Sequence, residues 1–309
     1  MKTYSVAPAG LTVSSVILGM MRIAKMDNDE IARLVETALD AGITVFDHAD
    51  IYGGERHRCE ERFGEAVRLS ADQRDGVLIQ SKVGIRKGFY DFSAAHILAS
   101  VEGSLKALRT DYLDVLLLHR PDALVELEEV AEAFDALHQT GKVRHFGVSN
   151  HTPGQIELLK TAVRQKLVFN QMQLSIPHAP MIAQGVAANI AGLDQAADRD
   201  NGLIDYSRIN SMTLQAWSPF QSGVTKGVFI GDREHYRELN TVLDELAETH
   251  KVTPSGIAVA WITRHPANIQ VVLGTTTPER VREAAAGSQV RLDREDWYRL
   301  FRAAGHKLP

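Results

Sequence analysis

Eight times along this chain a short β-rich run gives way to a longer helical pattern, and the alternation is never interrupted. The β-rich runs are Val16–Leu18, Thr44–Phe46, Val77–Ser81, Leu113–Leu118, Val143–Val148, Val168–Gln171, Thr213–Ala216 and Ile269–Leu273. Several are apolar without alternation, the pattern of strands covered on both faces. Helical spacing predicts Asp29–Ala41, Cys59–Leu69, Ala94–Leu108, Leu127–Gln139, Pro153–Val163, Ile182–Ala197, Pro254–Arg264 and Pro278–Ala286 between and after them. Start and stop residues agree. Asp27 precedes the first helix and Gly42 follows it, Gly141 follows the fourth, and Thr152-Pro153 and Thr277-Pro278 open two others.

Eight strand–helix units in succession imply an α/β fold closed into a (β/α)8 TIM barrel. A doubly wound open sheet is the alternative, but it would want a Gly-rich fingerprint after an early strand, and no GxGxxG occurs. Tyr4, Val6, Leu11 and Val13, around Pro8-Ala9-Gly10, read as an N-terminal β-hairpin capping the bottom of the barrel. Tyr236–His250 and Arg294–Ala304 exceed the repeats and read as accessory helices. With no linker or low-complexity stretch, residues 1–309 are expected to form one barrel domain.

Composition narrows the function classes. The 34 Lys and Arg against 39 Asp and Glu give a net charge of −5, and no basic tract stands out, so nucleic acid is not an expected partner. No apolar run approaches the roughly 18 residues a membrane helix needs. A Met1-Lys2-Thr3 start could open a signal peptide, but Pro8, Gly10, Thr12, Ser14 and Ser15 break any apolar core, so the N-terminus reads as part of the fold. Cys59, the single cysteine, cannot form an internal disulfide, and one thiol suits a reducing, cytoplasmic setting.

Barrel enzymes carry their sites where strands end, so polar residues just past each strand are the candidates. Asp47-His48-Ala49-Asp50-Ile51-Tyr52 follows the second strand, Lys82 the third and His119 the fourth. Taken singly, each has a bland reading as a capping aspartate, a snorkelling lysine or a rim histidine. Four ionisable types at three consecutive strand ends favour a catalytic site instead. A tyrosine with a pKa of about 10 is a poor acid near neutrality. A neighbouring ammonium would lower it. Lys82 could supply that ammonium with Asp47 as its counter-ion, Tyr52 could protonate a developing alkoxide, and a neutral His119 could orient the carbonyl. The set suits carbonyl reduction, and since nothing in it supplies hydride, a nicotinamide cofactor is implied.

At these residues the chain resembles the aldo-keto reductase superfamily, in order and over nearly its whole length. The resemblance rests on Gly42–Gly53, Lys82, Leu118-His119-Arg120-Pro121-Asp122 and Gly141–Asn150. The His-Ala-Asp variant is most similar to a bacterial branch of predicted oxidoreductases, related to potassium-channel β-subunits. The resemblance implies that Asp47, Tyr52, Lys82 and His119 form a catalytic tetrad with Tyr52 as general acid. It implies that Ser149, Asn150 and Gln171 hold the nicotinamide carboxamide and that Trp217, where relatives usually have tyrosine, stacks on the ring. Ser218, Phe220 and Ser222 fall on the pyrophosphate loop within Pro219–Gly227 or at its edge, and Asp50 on a ribose position. Gly274, Thr275, Thr276 and Arg280 fall on the adenosine-phosphate segment, where Arg280 resembles an arginine that favours NADPH (NADP+). Thr277-Pro278 supports this, because a helix N-terminus attracts anions. Thr277 and Ala284 depart from the lysine and asparagine common in relatives.

Met20 and Met21 could line a substrate pocket, and Phe89 and Tyr90 could form an apolar wall. Trp261 and His145 read as structural. His48, Asp50, His57 and Cys59 lie close in sequence, but no set after other strands completes a metal site, so no metal is expected. The leading expectation is an NADPH-dependent reductase of small or medium-sized apolar aldehydes or ketones, aromatic ones included. Two alternatives are a lyase that forms a Schiff base at Lys82 and an NADP(H)-binding regulatory module similar to channel β-subunits. Neither the substrate nor the oligomeric state follows from the sequence.

Overall fold

A computed structural model describes residues 1–223 and 227–309; Val224, Thr225 and Lys226 of the expected pyrophosphate loop lie outside the described residues. The chain opens with an antiparallel hairpin, β1 (Thr3–Val6) and β2 (Leu11–Ser14). Then come β3 (Val16–Gly19), α1 (Asn28–Asp40), β4 (Val45–Asp47), α2 (Arg58–Ala66), α3 (Ala71–Asp75) and β5 (Leu78–Val83). A small exposed hairpin, β6 (Ile85–Arg86) and β7 (Phe89–Tyr90), precedes α4 (Ala94–Leu108). There follow β8 (Leu113–Leu118), α5 (Leu127–Gln139), β9 (Val143–Ser149), α6 (Pro153–Lys160), β10 (Leu167–Gln173), α7 (Pro180–Val186) and α8 (Leu203–Ile209). The chain ends through β11 (Thr213–Trp217), α9 (Arg237–His250), α10 (Pro254–Thr263), β12 (Gln270–Leu273), α11 (Pro278–Gly287) and α12 (Arg294–Ala303).

Eight strands close into a parallel barrel in the order β10-β11-β12-β3-β4-β5-β8-β9. All eight β-rich runs of the sequence are barrel strands. Local chemistry explains where several helices begin and end. Asp27 and Glu30 form a reciprocal capping box at the start of α1, and Gly42, at φ +80°, takes the left-handed turn that leads into β4.

The core has two compartments. One lies between strands and helices, with Phe46, Phe134, Phe146 and Trp261 among its fully buried side chains. The other fills the barrel itself. Tyr4, Val6 and Val13 of the hairpin pack there with Ile17, Val45, Leu117, Phe169 and Val272 of the strands. The hairpin therefore plugs the bottom of the barrel, as its apolar alternation predicts.

One expected helix is different. The Ile182–Ala197 pattern stops at Val186, gives only a short 3-10 turn at Asp194–Ala196, and is followed by α8. Asn189 and Gly192 take left-handed φ values of +65° and +78°, which no α-helix contains. Apolar periodicity alone did not register that break, nor the short elements α3, β6 and β7. Among the described residues no helix is long and apolar enough to cross a membrane.

Candidate active site

The polar residues expected at strand ends converge at the C-terminal mouth. Asp47 is the last residue of β4, Lys82 lies one residue before the end of β5, and His119 follows β8 directly. Lys82 is fully buried and donates to Asp47 Oδ2 at 2.7 Å, to the His48 carbonyl at 2.8 Å and to Tyr52 Oη at 3.0 Å. The His119 ring meets the Tyr52 ring edge-on, with centroids 5.9 Å apart. Asp47, Tyr52 and His119 line one cleft of about 660 Å³.

Burial opposes the charge on Lys82, but Asp47 and the Tyr52 hydroxyl more than offset it, and the ammonium titrates above its usual value. Burial, with the nearby Lys82 and Arg120 charges, holds His119 well below 6.5, so its ring is neutral near pH 7. The expectation for Tyr52 needs correcting. Burial raises its pKa, and the Lys82 ammonium opposes that rise without reversing it. Tyr52 is therefore a protonated phenol at neutral pH, poised to donate rather than to accept.

Beneath this set lies a polar ladder that the sequence reading missed. Asp47 Oδ1 accepts from Gln80 Nε2 at 2.5 Å and from Gln171 Nε2 at 2.9 Å. Both amides also donate to Gln215 Oε1, and Gln215 Nε2 reaches Gln80 and Gln270. Gln270 closes the chain on the Ser14 carbonyl of the hairpin at 2.7 Å. An ionised carboxylate only accepts, so it fixes which end of each amide faces it. The available signal was a glutamine in each of four barrel strands.

The cofactor-type residues form a second cluster. Ser149 Oγ donates to the Gln171 carbonyl at 2.8 Å, Asn150 Nδ2 donates to Ser149 Oγ at 2.9 Å, and Trp217 Nε1 donates to Asn150 Oδ1 at 3.1 Å. All four, with Ser218, Phe220, Gly274, Thr275 and Arg280, line the same cleft. At Gly274, among the described residues, the one atom an added Cβ would approach within 4 Å is the Arg22 guanidinium carbon, at 3.9 Å, so a ligand can come close to the backbone there. Arg280 stands in the first turn of α11, whose N-cap Thr277 makes no side-chain capping bond, and the first-turn N–H groups remain available for an anion. Amide partners at one end, bare backbone in the middle and a helix start with an arginine at the other end fit an elongated dinucleotide.

Several expected site residues lie elsewhere. Asp50 does not face the cleft: it is 1% exposed, and its Oδ2 accepts from Ser100 of α4 at 2.7 Å. The turn closed by Tyr52 N–H on the Ala49 carbonyl aims Tyr52 and Asp50 to different sides. Met20 is wholly buried core, whereas Met21 lines the cleft. Phe89 and Tyr90 are exposed on the β6–β7 hairpin and do not line it. Neither do Ser222, which bonds to the Gly227 carbonyl, and Thr276. The residues considered for a metal build a packing cluster instead. Buried Glu60 accepts from Ser81 at 2.5 Å and Ser104 at 3.0 Å and pairs with His57 at 2.6 Å, while the ring of His48 meets Phe63. Trp261 is core, stacked on Trp297 with centroids 4.8 Å apart.

Comparison with known proteins matches residues 15–304 to the model of the aldo/keto reductase family. An uncharacterized oxidoreductase of Bacillus subtilis, YcsN, is 38% identical over 97% of this chain and 97% of its own. A 6-dehydroglucose reductase of Agrobacterium fabrum is 35% identical over 95% of each chain. Among solved structures, a thermostable aldo-keto reductase determined with the inhibitor epalrestat superposes with a TM-score of 0.77, at 25% identity, covering 98% of this chain and 100% of the other.

Proposed function

The chain belongs to the aldo/keto reductase family, and on that premise we propose that it is an NADPH-dependent oxidoreductase that reduces aldehydes or ketones to alcohols. The observation that carries this reading is the Tyr52 hydroxyl. It stands on the cleft wall, protonated, with a buried ammonium 3.0 Å behind it and a neutral imidazole beside it.

The nicotinamide, when bound, supplies the hydride. The chain's own residues do the rest. Ser149, Asn150 and Gln171 would hold the carboxamide, with Gln171 Oε1 left to accept because its Nε2 is committed to Asp47 and Gln215. Trp217, held by its bond to Asn150, would offer its face to the ring. Ser218, Phe220, Gly274, Thr275 and Arg280 would receive the phosphates and the adenosine. The neutral His119 donates a hydrogen bond to the substrate carbonyl oxygen and fixes its direction. As negative charge develops there, Tyr52 gives up its proton to that oxygen. The Lys82 ammonium then stabilises the phenolate left behind, and Asp47 keeps the ammonium in position.

Lys82 does not suit Schiff-base chemistry. Its amine is charged, fully buried and already donates to three partners, whereas a nucleophilic lysine must be neutral and open to the carbonyl. The reading is tested by titrating the purified protein with NADPH and NADH and following Trp217 fluorescence, then following NADPH consumption with a panel of carbonyl compounds. Tight NADPH binding with turnover of a carbonyl is expected. Failure to bind either cofactor would overturn the proposal.

A further inference from the structure

We infer that Arg120 is the specificity residue of the substrate subsite, and that the carbonyl compound this protein reduces carries a carboxylate. This rests on the reductase reading and extends it to a substrate class.

The cleft is basic although the chain as a whole is acidic, with a net charge of −5. Arg22, Arg120 and Arg280 all line it. Its single lining carboxylate, Asp47, is already paired with Lys82. A cofactor with phosphate groups accounts for two of these arginines by position. Arg280 opens α11, which follows β12. Arg22 follows β3, the neighbour of β12, and its guanidinium lies near Gly274.

Arg120 cannot serve those phosphates. It follows β8, and the ring order β10-β11-β12-β3-β4-β5-β8-β9 places β8 opposite β12. The amide cluster on β9 and β10 and Trp217 on β11 occupy the remaining cofactor side. The wall left for substrate carries Met21, Tyr52, His119 and Arg120.

No described residue neutralises Arg120. Among the described residues no carboxylate is within ion-pair distance of it. Asp122, two residues on, is committed to the backbone N–H groups of Phe92 and Leu124, at 3.1 and 2.9 Å. Arg120, half-buried on the cleft wall and without a carboxylate partner among the described residues, carries a planar fork that matches a carboxylate with two parallel hydrogen bonds. On this reading the carboxylate reaches Arg120 while the carbonyl oxygen rests on His119 and Tyr52, all three on the same cleft.

The test compares 4-carboxybenzaldehyde with 4-methylbenzaldehyde, two probes of similar shape that differ in charge. Wild type should favour the carboxylate in kcat/KM by about tenfold to a hundredfold, through KM. In Arg120→Met that preference should collapse towards unity, and Arg120→Lys should restore only part of it. Equal use of the two aldehydes by wild type, or an unchanged preference in Arg120→Met, overturns the assignment while leaving the reductase reading intact. Calorimetry of the protein–NADP+ complex with the two corresponding alcohols separates the opposite failure. Tighter, Arg120-dependent binding of the carboxylated alcohol without aldehyde turnover would keep the anion site and sink the reductase reading.

Discussion

The Lys82 ammonium donates to the Tyr52 hydroxyl across 3.0 Å, yet burial still keeps the phenol above its ordinary pKa. A buried cation close to a neutral phenol contributes little until the proton leaves, and then it stabilises the anion directly. The pair is built for the moment of proton transfer rather than for the resting state.

Tyr52→Phe removes that proton and one hydrogen bond while keeping the ring. It should fold, bind NADPH with near wild-type affinity and lose turnover by about 10²–10⁴-fold. Steady-state rates measured beside a cofactor titration separate the two. Substantial reductase activity in the variant would falsify the acid assignment.

Lys82→Met leaves the Asp47 carboxylate buried, 2% exposed, without its cation. Breaking one side of such a pair costs roughly 3–5 kcal/mol, so the urea midpoint should fall strongly. Adding Asp47→Asn removes the stranded charge and keeps an acceptor for Gln80 and Gln171. The double variant should regain much of the stability and none of the activity. If the single variant proves as stable as wild type, the ion pair is not what orders this region.

Arg280→Leu should weaken NADPH and spare NADH. Hydrogen bonds to a charged group contribute roughly 1.5–3 kcal/mol, or about tenfold to a hundredfold in affinity. Paired fluorescence titrations with the two cofactors give the ratio. A parallel loss for both would place Arg280 away from the distinguishing phosphate.

Asp50 makes a pH-dependent prediction about stability. Burial, only partly countered by the Ser100 hydroxyl, raises its pKa from 3.8 to about 6. The folded state therefore holds a proton that the unfolded chain has lost between those values. Stability from this group is full below about pH 4 and declines as pH rises towards 6, leaving a penalty of about 2–3 kcal/mol at pH 7. Asp50→Asn should thus raise the urea midpoint at pH 7 and change it little at pH 4. An equal change at both pH values would mean that the carboxyl is not protonated on folding.

The fold was legible because barrel strands are apolar on both faces and their helices carry caps and stops. Asp47, Tyr52, Lys82 and His119 were legible because each sits at or just past the end of such a strand. What escaped depends on direction rather than sequence position. Asp50 and Tyr52 share one loop, and only the turn at Ala49 sends one behind the barrel and the other into the cleft. Gln80, Gln171, Gln215 and Gln270 sit on separate strands, and their ladder exists only once the barrel has closed. The left-handed residues Asn189 and Gly192 cut a periodic pattern that reads as one helix. The place of Arg120 on the cleft wall is likewise a product of closure.

The plugged floor of the barrel has a consequence for traffic. Tyr4, Val6 and Val13 shut the lower end, so every molecule that reaches Tyr52 must arrive and depart by the upper doorway. Two guests sharing one doorway have to queue. A dinucleotide held from Arg280 to Asn150, as proposed, would share that doorway with the carbonyl compound. On the proposed reading, passage through that threshold would compete with proton transfer at Tyr52 for control of the cycle's pace.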